Sequence, residues 1–342
     1  MSSQPSISRV RMAKNDPPLK EDEVSPLDLI KNLPRSSGSS RDRKKIAVKQ
    51  VDAFTETPLT GNPAGVVLNA KGLTDQQMQI VAREMALSET AFILPATTPD
   101  ADLRIRWFTP NTEVPLCGHA TIASFHALAE EQLYNMKLPG TYRFKLETLS
   151  GILPTTVEKS PSGIDVSFGL TLPEFVRASQ YKLDVMRILN VSIDEFENRM
   201  PIVATNYLYV PIRRLHAVFS MKPNFFAMSQ FLANRNLLGM CVFTTETVDR
   251  TSSIHSRFFA PTIGITEDPV TGSANGPLGV YLFEHEQVQP VGDAVKIIGE
   301  QGDVIGRKGR VTIQLKIQNG RVASVEIGGR AVTIFNGEMV IA

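Results

Sequence analysis

Two stretches of this chain run in parallel. RWFTPNTEVPLCGHATIASF (residues 106–125) and RFFAPTIGITEDPVTGSANGPL (residues 257–278) both open with Arg-aromatic-Phe-x-Pro, pass through Pro-aliphatic-x-Gly-x-Ala, and enter an apolar run. The glycines of the second element, Gly118 and Gly272, stand 154 residues apart. A chance match of short turn motifs is the alternative, but ordered agreement over such a distance marks an internal duplication. The apolar runs that follow, GHATIASFHALAEEQ and the segment from about Ser273 to His285, are hydrophobic nearly all round, as in an enclosed helix. The expected organisation is therefore two similar domains, each with a helix wrapped by strands.

The rest of the pattern fits that plan. KIAVKQVDAF alternates into a strand, LTGNPAG turns, and AGVVLNA is a second strand. TDQQMQIVAREMAL carries Met78, Val81, Ala82 and Met85 at helical spacing, with Thr74 as N-cap and Gln77 completing a capping box. SETAFILPA and LRIRWFTP read as strands, and further strands follow in residues 142–169, separated by Ser-Gly and Pro-Ser-Gly turns. In the second half a helix near Leu183 to Leu189 is expected to restart the order, followed by strands at NYLYVPI, GMCVFTT and IHSRFFAP, the second apolar helix, and strands to the C-terminus. Expected boundaries are a tail over 1–45, a first domain over 46–168, a second over 169–330, and a strand at 331–342.

Composition narrows the function classes. A net charge of +1 gives no reason to expect nucleic acid, and no apolar run approaches the roughly 20 residues of a membrane helix. Residues 1–50 hold 11 Lys/Arg against 6 Asp/Glu, so the body is slightly acidic. PRSSGSSRDRKK belongs to a Ser/Pro-rich basic tail expected to be disordered, with partner binding as its sharper reading and VSPLDLIKNL as a helical turn or two. Two cysteines, Cys117 and Cys241, far apart in apolar surroundings, make neither a disulfide framework nor a CxxC metal pair. With no secretory signal in MSSQPSISRVRMAKNDPP, a cytoplasmic location is expected.

The chemistry concentrates where the duplicated helices begin. Domains related by duplication meet near a pseudo-twofold axis, so matched helix starts face one cleft. Each start offers free amides and a positive dipole end suited to a carboxylate. The titratable groups nearby are His119 at the first start and Glu267 and Asp268 at the second, with Glu89 of ALSETAFI between a helix end and an apolar strand. A carboxyl facing a dry pocket gains a general base's pKa. Bland alternatives stand beside each: a solvated loop acid for Glu89, a capping or core histidine for His119, an N-cap for Ser273, an Asp-Pro turn for Asp268. His119 and His126, seven residues apart, share a helix face without an evident third metal ligand. Walker and Rossmann glycine patterns and a GxSxG elbow are missing from the sequence. Cys117 reads as a nucleophile or proton-transfer thiol if the helix start lowers its pKa, and otherwise as a buried cysteine.

At these residues, VDAFTETPLTGNPAGVVL, MALSETAFI, RWFTPNTEVPLCGHATIA and EDPVTGSANGPLGVYL together resemble the phenazine biosynthesis PhzF-like family, whose fold is similar to that of diaminopimelate epimerase. The resemblance runs from about Ile46 to the C-terminus. It implies an α+β fold of two duplicated domains, each a curved, mostly antiparallel sheet or barrel rolled around a central α-helix, with an active site in the cleft between them, a C-terminal strand returning to the first, no cofactor, no metal, and a homodimer. It also implies that Glu89, at the glutamate of the SET motif, shuttles a proton, and that His119, Asp268 and Ser273 belong to the site. Catalytic candidates are thus Glu89, His119 and Asp268; substrate-binding candidates are Gly118, Gly272, Ser273 and Asn62. Epimerases of this fold carry a thiol in each domain's Pro-x-x-Gly element, whereas this chain has Cys117 in the first and Thr271 in the second. The expected activity is a cofactor-independent isomerisation of a small carboxylate-bearing, cyclic or aromatic-like metabolite. The alternatives are a protein-interaction module on a relict fold or an amino-acid epimerase or racemase.

Overall fold

The computed structural model describes residues 44–341. The expected tail, with its helical turn, lies outside the described residues. In the first half, β1 (Lys44–Ala53) pairs antiparallel with β2 (Asn62–Val67), and α1 (Asp75–Met85) carries the chain over so that β3 (Glu89–Leu94) lies parallel to β2. β4 (Leu103–Phe108) is antiparallel to β3, and the short β5 (Glu113–Val114) folds back on it. α2 (Gly118–Glu130) crosses to β6 (Gly140–Thr148), parallel to β4, and β7 (Gly151–Ser160) and β8 (Gly163–Leu170) continue as a meander.

The second half opens with β9 (Val176–Arg177), α3 (Lys182–Leu189), β10 (Val203–Ala204) and β11 (Tyr207–Pro211). α4 (Leu215–Ser220) and α5 (Phe225–Ala233) lead to β12 (Gly239–Thr244), β13 (Ile254–Ala260) and β14 (Ile265–Asp268). α6 (Gly272–Glu284) then crosses to β15 (Ala294–Gln301), β16 (Gly309–Gln318), β17 (Arg321–Gly329) and β18 (Ala331–Ile341). Its pairings repeat the first half: β11 parallel to β12, β12 antiparallel to β13, β14 folded onto β13, β13 parallel to β15, then a meander.

The two sets join where β8 and β17 pair antiparallel, Phe168 opposite Ile327. From this seam the sheet reads the same in both directions, ending in β18 beside β1 on one side and β9 beside β10 on the other. β18 thus returns to the first half, from Ala53 opposite Ala331 to Lys44 opposite Ile341. Each central helix is enclosed: α2 is buried from His119 to Ala129, and α6 at most of its positions. The architecture is the expected α+β one.

Local expectations fared unevenly. Thr74 and Gln77 form the reciprocal capping box, and Met78, Val81 and Ala82 are buried beneath α1. The helix near Leu183, however, is not the repeat of α1. A parallel pair requires a crossover, and the one between β11 and β12 is made by α4 and α5, which the sequence reading missed. Among the described residues no helix is long and apolar enough to cross a membrane.

Candidate active site

The two central helices meet at their N-termini. A Cβ placed on Gly118 would lie 3.7 Å from the Cα of Gly272, an ordinary contact distance, so the two helix starts lie side by side. Around Gly272 the space is tighter still: a Cβ would come within 2.4 Å of Ile327 Cδ1 and 3.2 Å of Phe54 Cζ. Both helices begin without a side-chain cap, Cys117 and Thr271 occupying the equivalent N-cap positions. First-turn amides of an α-helix have no partner within the helix, so both starts present donors and the positive ends of their dipoles.

Each start carries a different set of side chains. On the first, His119 Nε2 lies 3.3 Å from Glu89 Oε2 and 3.3 Å from Ser88 Oγ, and its Nδ1 lies 3.5 Å from Cys117 Sγ. Glu89 sits at the head of β3, opposite Ala64 of β2, with only 13% of its side chain exposed. Burial pushes its carboxyl above the usual range, partly offset by hydrogen bonds from Ser88 and Cys117. Burial favours the neutral His119 imidazole, against the pull of Asp268. Burial, with Glu89 next, raises the Cys117 thiol well above its ordinary value. Cys117 is therefore a protonated partner, and the helix start does not make it a thiolate.

On the second start the acid is Asp268, the last residue of β14. Asn62 Nδ2 donates to its Oδ1 at 2.9 Å and to the Val270 carbonyl at 2.8 Å. Both partners only accept, which fixes the Asn62 amide with its nitrogen toward them. The Thr271 hydroxyl bonds Asp268 Oδ2 at 2.5 Å. Burial nonetheless drives the Asp268 carboxyl up to about 6, with Glu89 adding to the rise and His119, Thr271 and Asn62 opposing it. Ser273 lies inside α6, so it is not the N-cap; its hydroxyl is 3.1 Å from that of Tyr207. Tyr207 is kept protonated by burial, with Asp268, Cys117 and Glu89 all acting on it.

The structure therefore brings Glu89, His119, Asp268, Ser273, Asn62 and both helix-start glycines around one point. Glu267 is set apart: Arg257 holds it by paired bonds of 2.9 and 2.7 Å, as Arg106 holds Glu113 in the first half. His126 is also apart, beside Glu130 and Lys49. Sequence reasoning missed Tyr207, Ser88 and Gln301. Ser88 adjoins Glu89 in the SET motif, whereas Tyr207 and Gln301 carry no motif. Glu89, Cys117 and His119 present ligand atoms all within 4.8 Å of one another, close enough for a metal ion. Their donor set fits one poorly, because a ligating cysteine must be a thiolate and burial opposes that here. What the arrangement offers chemically is two carboxyls of raised pKa, one from each half, beside a neutral imidazole and two helix starts.

Known proteins resemble this chain in sequence and fold. Residues 51–337 match the family model described as phenazine biosynthesis-like protein. The chain is 38% identical over 304 residues to a Clostridium acetobutylicum protein named as an uncharacterized isomerase, covering 87% of this chain and 99% of that protein. It is 34% identical over 307 residues to the uncharacterized isomerase YddE of Escherichia coli K12, with the same two coverages. A Bacillus anthracis phenazine biosynthesis protein of the PhzF family superposes with a TM-score of 0.79 at 32% identity, over 87% of this chain and 100% of that one.

Proposed function

The chain belongs to the phenazine biosynthesis-like PhzC-PhzF family of isomerases, and on that premise we propose that it moves a proton on a small carboxylate-bearing metabolite, with Glu89 as general acid and base. The observation that carries the reading is the pairing of Glu89 with Asp268: two buried carboxyls, both raised, from opposite halves of the duplication. A raised carboxyl both takes and returns a proton near neutral pH, which a solvated acid does poorly.

In this reading the substrate carboxylate lies against the first-turn amides of α2 and α6, where amides and helix dipoles favour an anion. Asn62, Ser273 and Tyr207 contact its remaining polar atoms. The Asp268 carboxylate and neutral His119 orient it so that the migrating proton faces Glu89, which removes it from one carbon and delivers it to another. Ser88 and Cys117 hold the Glu89 carboxylate before the first transfer and after the second. Proton movement of this kind needs geometry and a tuned carboxyl rather than a cofactor. The protein works as a cytoplasmic homodimer in this proposal.

Cys117 and Thr271 occupy equivalent N-caps, so the second half lacks the thiol with which two-base stereoinversion would proceed. One-face proton transfer is preferred over epimerisation on that ground. The test is incubation with a panel of cyclic and aromatic-like unsaturated carboxylic acids in D2O, following deuterium at carbon by mass spectrometry. A substrate should exchange with the native protein, and Glu89→Gln should slow that exchange by about 10²–10⁴-fold without loss of fold. Equal exchange by the variant would remove Glu89 from the mechanism.

A further inference from the structure

The residue that replaces the second thiol has a partner of its own. Gln301, at the end of β15 and 1% exposed, donates from Nε2 to the Thr271 hydroxyl oxygen at 3.1 Å and to the Asp268 carbonyl at 2.9 Å. Its Oε1 accepts from the Thr271 backbone amide at 3.1 Å and from Asn275 Nδ2 at 2.9 Å. Since Oε1 receives two N–H groups, the Gln301 amide cannot be turned over, and Nε2 is fixed as the donor toward Thr271. A hydroxyl that accepts from an amide is free to give its own hydrogen elsewhere. The neighbour in reach is Asp268 Oδ2.

We propose that Gln301 and Thr271 form a positioning relay, in which the amide fixes the direction of the hydroxyl and the hydroxyl holds Asp268 as an ionised, correctly aimed acceptor. With Asn62 on Oδ1 and Thr271 on Oδ2, each carboxylate oxygen already receives a hydrogen bond. A proton added to either oxygen would face a donor. The relay thus counters the burial and the negative Glu89 that act on the same carboxyl. The titratable groups facing Asp268 from the other elements are Glu89, Cys117, His119 and Tyr207, and Thr271 opposes the first of these without adding a charge. The position that bears a thiol in the first half has in this half become an orienting donor for a carboxylate.

The importance of the relay rests on Asp268 belonging to the reacting site, but its existence does not, so the two are tested separately. The first measurement is a pH titration of the Asp268 side-chain carbon by NMR in carboxyl-labelled full-length protein, assigned by its loss in Asp268→Asn. Thr271→Val, nearly the same shape without the hydroxyl, should move the midpoint upward by about one unit, and Thr271→Ser should restore it. Gln301→Met, which leaves Thr271 in place but unfixed, should give a smaller upward shift. Should Thr271→Val fold poorly, as judged by thermal melting, the Gln301→Met and Thr271→Ser comparison carries the test. Unchanged midpoints in the folded variants would overturn the relay. The acid limb of deuterium exchange is then read on the same variants: a limb that stays put while the NMR midpoint moves would remove Asp268 from the proposed reaction and leave the relay standing.

Discussion

The helix start of the first half and that of the second occupy the same place in the duplicated plan, yet they carry different chemistry. At the head of the third strand the first half has Glu89; the second has Gly239, opposite Tyr207 where the first half has Ala64. At the N-cap stand Cys117 and Thr271, and two residues into the helices His119 and Ser273. Only on the short folded-back strand is the second half the acidic one, with Asp268 opposite Phe258 where Val114 lies opposite Trp107. Duplication supplies two helix starts that meet at one point. In the proposed function, divergence gives one the proton-moving carboxyl and the other an orienting carboxyl, a hydroxyl pair and an amide relay.

The largest effect should come from the position where the halves differ most. Beyond the loss of exchange expected for Glu89→Gln, moving the acid across the axis should fail outright. A Cβ on Gly239 would lie 2.5 Å from Phe258 Cζ and 2.9 Å from the Phe259 carbonyl. Gly239→Glu with Glu89→Gln should therefore lower the melting temperature sharply and recover no exchange.

Next come the matched polar pairs between the fourth strand of each half and its parallel neighbour. Arg104 and Glu147 in the first half correspond to His255 and Glu300 in the second. The first pair is 3.6 Å apart and partly exposed, whereas the second is 2.9 Å apart with neither side chain exposed. Glu300→Gln should cost about 3 kcal/mol in denaturant unfolding and Glu147→Gln about 1 kcal/mol. Glu300 also has a carboxyl lowered to about 2, by hydrogen bonds from His255, Val248 and Asp249 that outweigh burial. A depressed carboxyl stabilises fully above its unfolded value and loses that contribution as pH falls. The gap between native and Glu300→Gln protein should shrink between about pH 4.5 and 2.

A smaller contrast separates the repeated arginines. Arg257 with Glu267 is more enclosed than Arg106 with Glu113, and Arg257 also donates to the Val218 and Met221 carbonyls. Arg257→Leu should destabilise by more than Arg106→Leu, by about 1–2 kcal/mol on the same unfolding assay. The gentlest test is pH. If the Asp268 carboxylate orients substrate, exchange should fall as pH drops through about 6, and Asp268→Asn should leave a slow rate without that inflection.

The duplication itself was legible because it was written in short ordered motifs, and the enclosed helices because an all-round apolar pattern has few other uses. The capping box at Thr74 and Gln77 was legible because it is local. α5 was not, although Asn224 caps it, since Phe225 to Ala233 is too apolar to show one wet face. Glu89, His119 and Asp268 could be picked from motifs, but the approach of Asp268 to the other two depends on how the halves join, as at the seam between β8 and β17, which no local pattern encodes. The contact from Asn62 to Asp268 spans 206 residues, and that from Tyr207 to Ser273 spans 66. Gln301 belongs to the same class: a polar residue at a strand end whose meaning appears only when α6 is laid against it.

The central claim is that one mouth moves the proton and the other only orients. It is tested most directly by the stereochemistry of exchange: a chiral substrate found in the D2O panel, converted to low extent, with the configuration and deuterium content of both recovered substrate and product determined together. The asymmetric site predicts deuterium delivered to a single face, with recovered substrate keeping its original configuration. Deuterium accompanied by inversion at the same carbon would mean that a second acid–base group works from the opposite half, and would contradict the account.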